Sequence, residues 1–133
     1  MSQKREISPK PFLYMAPVLG VTGSVYRNIY SKTFDGYDSA VVPFIASCES
    51  SRFKSSYMRD ILPERNSARF LLIPQILSKH PKDFIALAKA MFDLGYKEIN
   101  WNLGCPFVKV RKKMRGSGLL PFPDAVVSFL EEV

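Results

Sequence analysis

Two cysteines, one histidine and one tryptophan in 133 residues leave little material for several kinds of site. Cys48, Cys105 and His80 do not complete a zinc ligand set without a carboxylate or a second chain, so no metal centre is expected. Two cysteines are also too few for a disulfide framework. A reducing compartment, the cytoplasm, is the expectation. No apolar run approaches the ~18 residues that a membrane span requires. The opening residues, MSQKREISPKP, carry cations but lack the apolar centre of a signal peptide, and 1–11 read as a polar arm.

Positive charge is plentiful, and it is concentrated. The formal net charge is +7. Five cations, Lys109, Arg111, Lys112, Lys113 and Arg115, lie within seven residues, and removing them leaves only +2. Basicity this local points to a docking patch for a polyanion more than to a generally basic protein. The length suits one domain of ordinary size. With 47% apolar and 23% charged residues, the composition is that of a globular chain.

Apolar runs and turn signals alternate along residues 12–133. Phe12–Ala16 reads as a short strand ending at Pro17. Thr22 or Ser24 is placed to cap a helix from Ser24 to about Thr33, which would bury Val25 and Ile29 with Tyr26 or Tyr30. Ser39–Ile45 is a second strand, with Pro43 near its end. Phe53, Tyr57 and Ile61 share one helical face in an otherwise polar stretch. Leu71–Leu77 is apolar almost throughout, as a strand covered on both faces requires. Pro81 opens a helix carrying Phe84, Ile85, Ala88, Met91 and Phe92, and Gly95 stops it. Ile99–Leu103 is a fourth strand. A last helix starts at Phe122-Pro123-Asp124 with Val126, Val127 and Leu130 as its apolar face. Repeated βα order implies α/β architecture with a parallel sheet and right-handed crossovers. Four such units are half of a TIM-barrel-type sheet.

In such folds the site lies beyond the carboxyl ends of the strands. Three segments meet that condition: Pro17-Val18-Leu19, Gln75, and Asn102 to Cys105. Gln75 is an amide in an apolar strand and must find partners there. Trp101 faces away from Asn102 by strand alternation and reads as a packing residue. Cys48 lacks any such setting and reads as a small buried residue. The segment EINWNLGCPFVKVRKKMRGSGLL, Glu98–Leu120, presents the Cys105 thiol at a strand end beside the basic loop, which Gly116-Ser117-Gly118 closes as a hinge.

Asn102-x-Gly104-Cys105-Pro106, the following Lys109-Val110 and the Gly116-Ser117-Gly118-Leu119-Leu120 ending resemble the active-site segment of the tRNA-dihydrouridine synthases. Met15-Ala16-Pro17-Val18-Leu19-Gly20-Val21-Thr22 resembles the opening M-A-P-M-x-G-V-T of that family, and Pro74-Gln75-Ile76-Leu77 its V-Q-L strand. The resemblance spans about Leu13 to Leu130. It implies FMN and NADPH as cofactors and tRNA as substrate, with uridine reduced across C5–C6. Cys105 would give the proton to C5, a role suited to a thiol that stays protonated until the transition state. Pro17, Val18 and Leu19 would contact FMN largely through main chain, and Gln75 would bond the flavin ring. Asn102 would orient uracil or flavin. Lys109, Arg111, Lys112, Lys113 and Arg115 would meet RNA phosphates, which position without reading sequence. Some members carry a glutamate after the second strand; here Pro43-Phe44-Ile45 stands near that position.

The resemblance implies that residues 12–133 are the amino-terminal half of an FMN-binding (β/α)8 barrel, incomplete for activity alone. Open edges of such a half barrel favour pairing with a second copy. Two other readings stay open: a noncatalytic RNA-binding module, and another FMN barrel oxidoreductase acting on a small molecule.

Overall fold

The computed structural model describes residues 10–47 and 58–133. Most of the arm, Cys48, and the stretch holding Phe53 and Tyr57 lie outside the described residues. Elements follow in the order β1 (Tyr14–Met15), α1 (Ser24–Thr33), β2 (Ser39–Val41), β3 (Ile45–Ala46), β4 (Leu71–Ile73), β5 (Gln75–Leu77), α2 (Pro81–Asp93), β6 (Asn100–Trp101), α3 (Val108–Arg111) and α4 (Pro123–Glu132). Single 3-10 turns cover Arg59–Ile61, Pro63–Arg65 and Gly116–Leu119. Among the described residues no helix is long and apolar enough to cross a membrane.

Among the described residues every strand pair is parallel. β1, β2 and β4 form one ladder and β3, β5 and β6 a second. The expected second and third strands are each broken once, at Val42-Pro43-Phe44 and at Pro74. Proline supplies no N–H to a ladder. Val42 N–H to Ile73 O (2.9 Å) and Asn100 N–H to Pro74 O (2.9 Å) bridge the breaks. The mixed α/β order and all-parallel pairing are those of a partial TIM barrel. The outer strands are shorter than expected, with Phe12 and Leu13 exposed beyond β1.

The core lies between the sheet and the helices. Val42, Ile45, Ile61 and Ile76 pack with Phe84, Leu87, Ala88 and Met91 of α2 and Phe129 of α4. The α2 face is close to that expected, although Phe92 is exposed and Leu87 is buried instead. Gly95 ends this helix at φ +95°, where glycine avoids a Cβ clash. Leu71, at the start of the third strand, is 71% exposed, so that strand is covered on both faces only beyond it.

Two helix faces differ from expectation. In α1, Val25 and Ile29 are exposed (66% and 60%), as is Tyr26, while Ser24, Arg27 and Ser31 are buried. Arg27, with no exposed surface, bonds Thr22 O (2.8 Å), Asp60 Oδ2 (2.9 Å), Asp60 O (2.8 Å) and Asn66 Oδ1 (2.8 Å). A buried guanidinium needs such a shell of acceptors, and the helix turns its polar side inward to deliver it. Nor do Thr22 and Ser24 cap α1 with their side chains. The Asp60 carboxylate takes the Ser24 N–H (2.6 Å) instead. In α4, Val127 and Leu130 are exposed, and Phe129 is the buried residue. Its ring stacks on Trp101 (centroids 3.9 Å apart, 11° between planes) and meets Phe84 edge-on. Trp101 therefore packs outward as strand alternation predicts, and donates its indole N–H to Ser78 O (3.0 Å).

Candidate active site

β5 and β6 run parallel with Gln75 beside Asn100 and Ile76 beside Trp101. Alternation then puts Gln75, Asn100 and Asn102 on the face away from the helices. Their amides join: Gln75 Nε2 donates to Asn100 Oδ1 (2.8 Å), and Asn102 Nδ2 donates to Gln75 Oε1 (2.9 Å). Gln75 thus has the partners that a buried amide needs.

Past β6 the chain turns at Gly104-Cys105-Pro106, and Asn102 sets the turn. Its Oδ1 accepts the main-chain N–H of Cys105 (2.9 Å) and of Gly104 (3.2 Å). The Cys105 carbonyl is held from the other side by the Ser117 N–H (3.1 Å) and hydroxyl (3.0 Å). The glycines flanking Ser117 serve close packing, not hinging. A Cβ at Gly116 (φ +55°) would lie 2.9 Å from the Cys105 carbonyl oxygen, and one at Gly118 would lie 2.7 Å from the Arg111 carbonyl oxygen. The basic segment is thereby folded back on the thiol corner as α3 and a 3-10 turn. The Cys105 side chain is half-buried and forms no disulfide among the described residues.

A cleft of about 540 Å³ opens at the carboxyl ends of the strands. Pro17, Val18, Leu19, Gln75, Asn102 and Cys105 all line it, so the three distant segments meet on one rim. Asn100 lines it too. Sequence reasoning passed over Asn100, although its spacing of two from Asn102 places it on the same face. The 17–19 turn offers less main chain than expected. The Val18 N–H is taken by Thr22 Oγ1 (2.8 Å), and its carbonyl accepts the N–H groups of Val21 and Thr22 (both 3.0 Å). Leu19 keeps its N–H free of protein partners among the described residues.

A second cavity, about 1020 Å³, shares Leu19, Pro43 and Phe44 with the first. The basic cluster divides here. Lys113 and Arg115 line this cavity, while Lys109, Arg111 and Lys112 are exposed and line neither. Arg115 Nε is buried without a hydrogen-bond partner among the described residues. Tyr26 and Asp60 line the same cavity.

Known proteins resemble this chain along most of its length. Probable tRNA-dihydrouridine synthases of Staphylococcus epidermidis and Staphylococcus aureus are each 27% identical over 132 residues, and tRNA-dihydrouridine synthase B of Proteus vulgaris is 33% identical over 129. These alignments take in 92% to 93% of the chain but 37% of each relative, so the chain spans a little over a third of their length. The profile of the family described as Dihydrouridine synthase (Dus) matches residues 14–133. With that match running from β1 to the last residue and the cysteine corner inside it, the chain belongs to the dihydrouridine synthase family.

Proposed function

We propose that this chain carries the amino-terminal half of the catalytic barrel of a flavin-dependent tRNA-dihydrouridine synthase, with FMN and NADPH as cofactors. The observation that carries the reading is the convergence of Cys105, Gln75 and the 17–19 turn on one cleft. The cleft's volume falls in the ~300–1,000 Å³ range of small-molecule sites. Its residues suit a flavin ring. Pro17, Val18, Leu19 and Phe44 supply apolar walls. Gln75 uses one amide proton and one lone pair inside the protein, and has a second of each to offer.

Pro17, Val18, Leu19 and Gln75 would hold FMN, which in its reduced form would supply a hydride for uracil C6. The chain's own part is positioning and proton delivery. Cys105 Sγ holds the proton that goes to uracil C5, and Asn102 with Ser117 fixes the main chain on both sides of that residue. A uridine must leave its stack to enter such a cleft. Lys113 and Arg115 would hold phosphates beside the cleft mouth, and Lys109, Arg111 and Lys112 would meet phosphates farther out.

The test is dihydrouridine in the source cell's tRNA, measured by mass spectrometry after deletion of the gene. The intact wild-type gene should restore the modification. Cys105→Ala should lower the rate ~10²–10⁴-fold, the size of a positioned acid's contribution. Unchanged dihydrouridine on deletion would overturn the reading. A noncatalytic RNA-binding role has one observation in its favour, the three cations that line neither cavity. Salt-dependent tRNA binding with no flavin uptake would select it.

A further inference from the structure

We infer that the amides of Asn100, Gln75 and Asn102 form one directional chain whose sense is imposed by the N–H groups of Gly104 and Cys105. Asn100 is then a positioning residue that acts through Gln75. The inference starts from groups with no choice: a main-chain N–H only donates. The Asn102 atom facing Gly104 and Cys105 must therefore be oxygen. Its other terminus must be Nδ2, which faces Gln75 and selects Oε1 (2.9 Å). Gln75 Nε2 is then turned to Asn100, which has to present Oδ1 (2.8 Å). Rotating Gln75 alone by half a turn would set two carbonyls against each other on one side and two NH2 groups on the other, losing both bonds.

The consequence reaches the ligand. Gln75, buried at the cleft wall, offers its spare proton on the Asn100 side and its spare lone pair on the Asn102 side. A planar heterocycle with adjacent carbonyl and N–H groups is accepted in one sense and refused in the other. This deepens the reading above and rests on it only for which ring binds; the amide chain exists without any ligand.

The roles of the two asparagines are unequal, which makes the test sharp. The structure uses Asn100 only as an acceptor, so aspartate can replace it. It uses Asn102 both as acceptor and as donor, so aspartate cannot. Nitrogen-15 NMR of the ligand-free chain, with the Gln75 side-chain amide assigned, reads this directly. In Asn100→Asp the bonded Gln75 proton should move downfield, because a charged acceptor shortens the bond, and the melting temperature should hold. In Asn100→Ala the same proton should move upfield. In Asn102→Asp the Gln75 signals should change and the melting temperature should fall by several degrees. Asn100 is exposed, so its variants keep the core. The inference is overturned if Asn100→Asp and Asn100→Ala give the same Gln75 signals, or if aspartate is tolerated equally at 100 and 102. Neither result bears on whether tRNA is the substrate.

Discussion

Ser117 grips the carbonyl of Cys105 twice, through its main-chain N–H at 3.1 Å and its hydroxyl at 3.0 Å. The loop between these two residues, which holds the five cations, is thereby closed on the residue that carries the thiol. Gly116 makes the grip possible, since a side chain there would strike Cys105. Gly116→Ala should lower stability by ~1–3 kcal/mol, the usual cost of overpacking, and should alter the alkylation rate of Cys105. Chemical unfolding and iodoacetamide labelling measure the two effects. An alanine variant with wild-type stability would show that the loop does not sit against Cys105.

The Arg27–Asp60 pair ties α1 to the segment after β3. Asp60→Ala leaves a buried guanidinium without its counter-charge and the Ser24 N–H without its acceptor. The expected loss is ~3–5 kcal/mol. The double replacement Arg27→Met with Asp60→Leu should cost less than Asp60→Ala alone, because no charge is then stranded. Urea unfolding of the two variants checks the order.

Tyr96 donates its hydroxyl to Ile61 O at 2.6 Å. Burial pushes its pKa above the ordinary tyrosine value, Arg27 pulls it down and Asp60 adds to the rise. The folded chain thus holds this proton more tightly than the unfolded chain does. Stability from this group is complete below the ordinary tyrosine pKa and is lost as pH rises through the raised one. Tyr96→Phe should be less stable at neutral pH and should flatten the alkaline fall of the melting temperature. An equally steep alkaline fall in Tyr96→Phe would assign it to another group.

Lys113 and Arg115 line the larger cavity, and Lys109 does not. If RNA phosphates occupy that cavity, Lys113→Ala and Arg115→Ala should each weaken tRNA binding and reduce the salt slope of log K by about one. Competition by inorganic phosphate should be weaker in both variants than in Lys109→Ala. Filter binding across a salt series reads this. Equal slopes for wild type and both variants would leave the cavity without an RNA role.

The repeated βα order, the parallel sheet and the meeting of three segments on one rim were legible because each rests on local signals. Apolar runs, Pro81 and Gly95 mark the elements, and strand alternation sorts Trp101 from Asn102. The α1 face was not legible, since Arg27 is buried by Asp60 and Asn66, 33 and 39 residues away. No periodicity within a helix reports a partner at that distance. Phe129 was passed over in α4 for a similar reason: the Trp101 ring selects it, and that ring comes from another strand. The glycines around Ser117 read as hinges because sequence shows freedom but not contact.

The two prolines that break neighbouring strands also divide the ladder into steps. β1 bonds only to the lower step and β6 only to the upper one. From first strand to fourth the pairing therefore climbs like a staircase, as a sheet that rolls around an axis must do. The landing at the top of that climb is where the Cys105 corner stands, so the pitch of the roll sets how far that corner is lifted above β1.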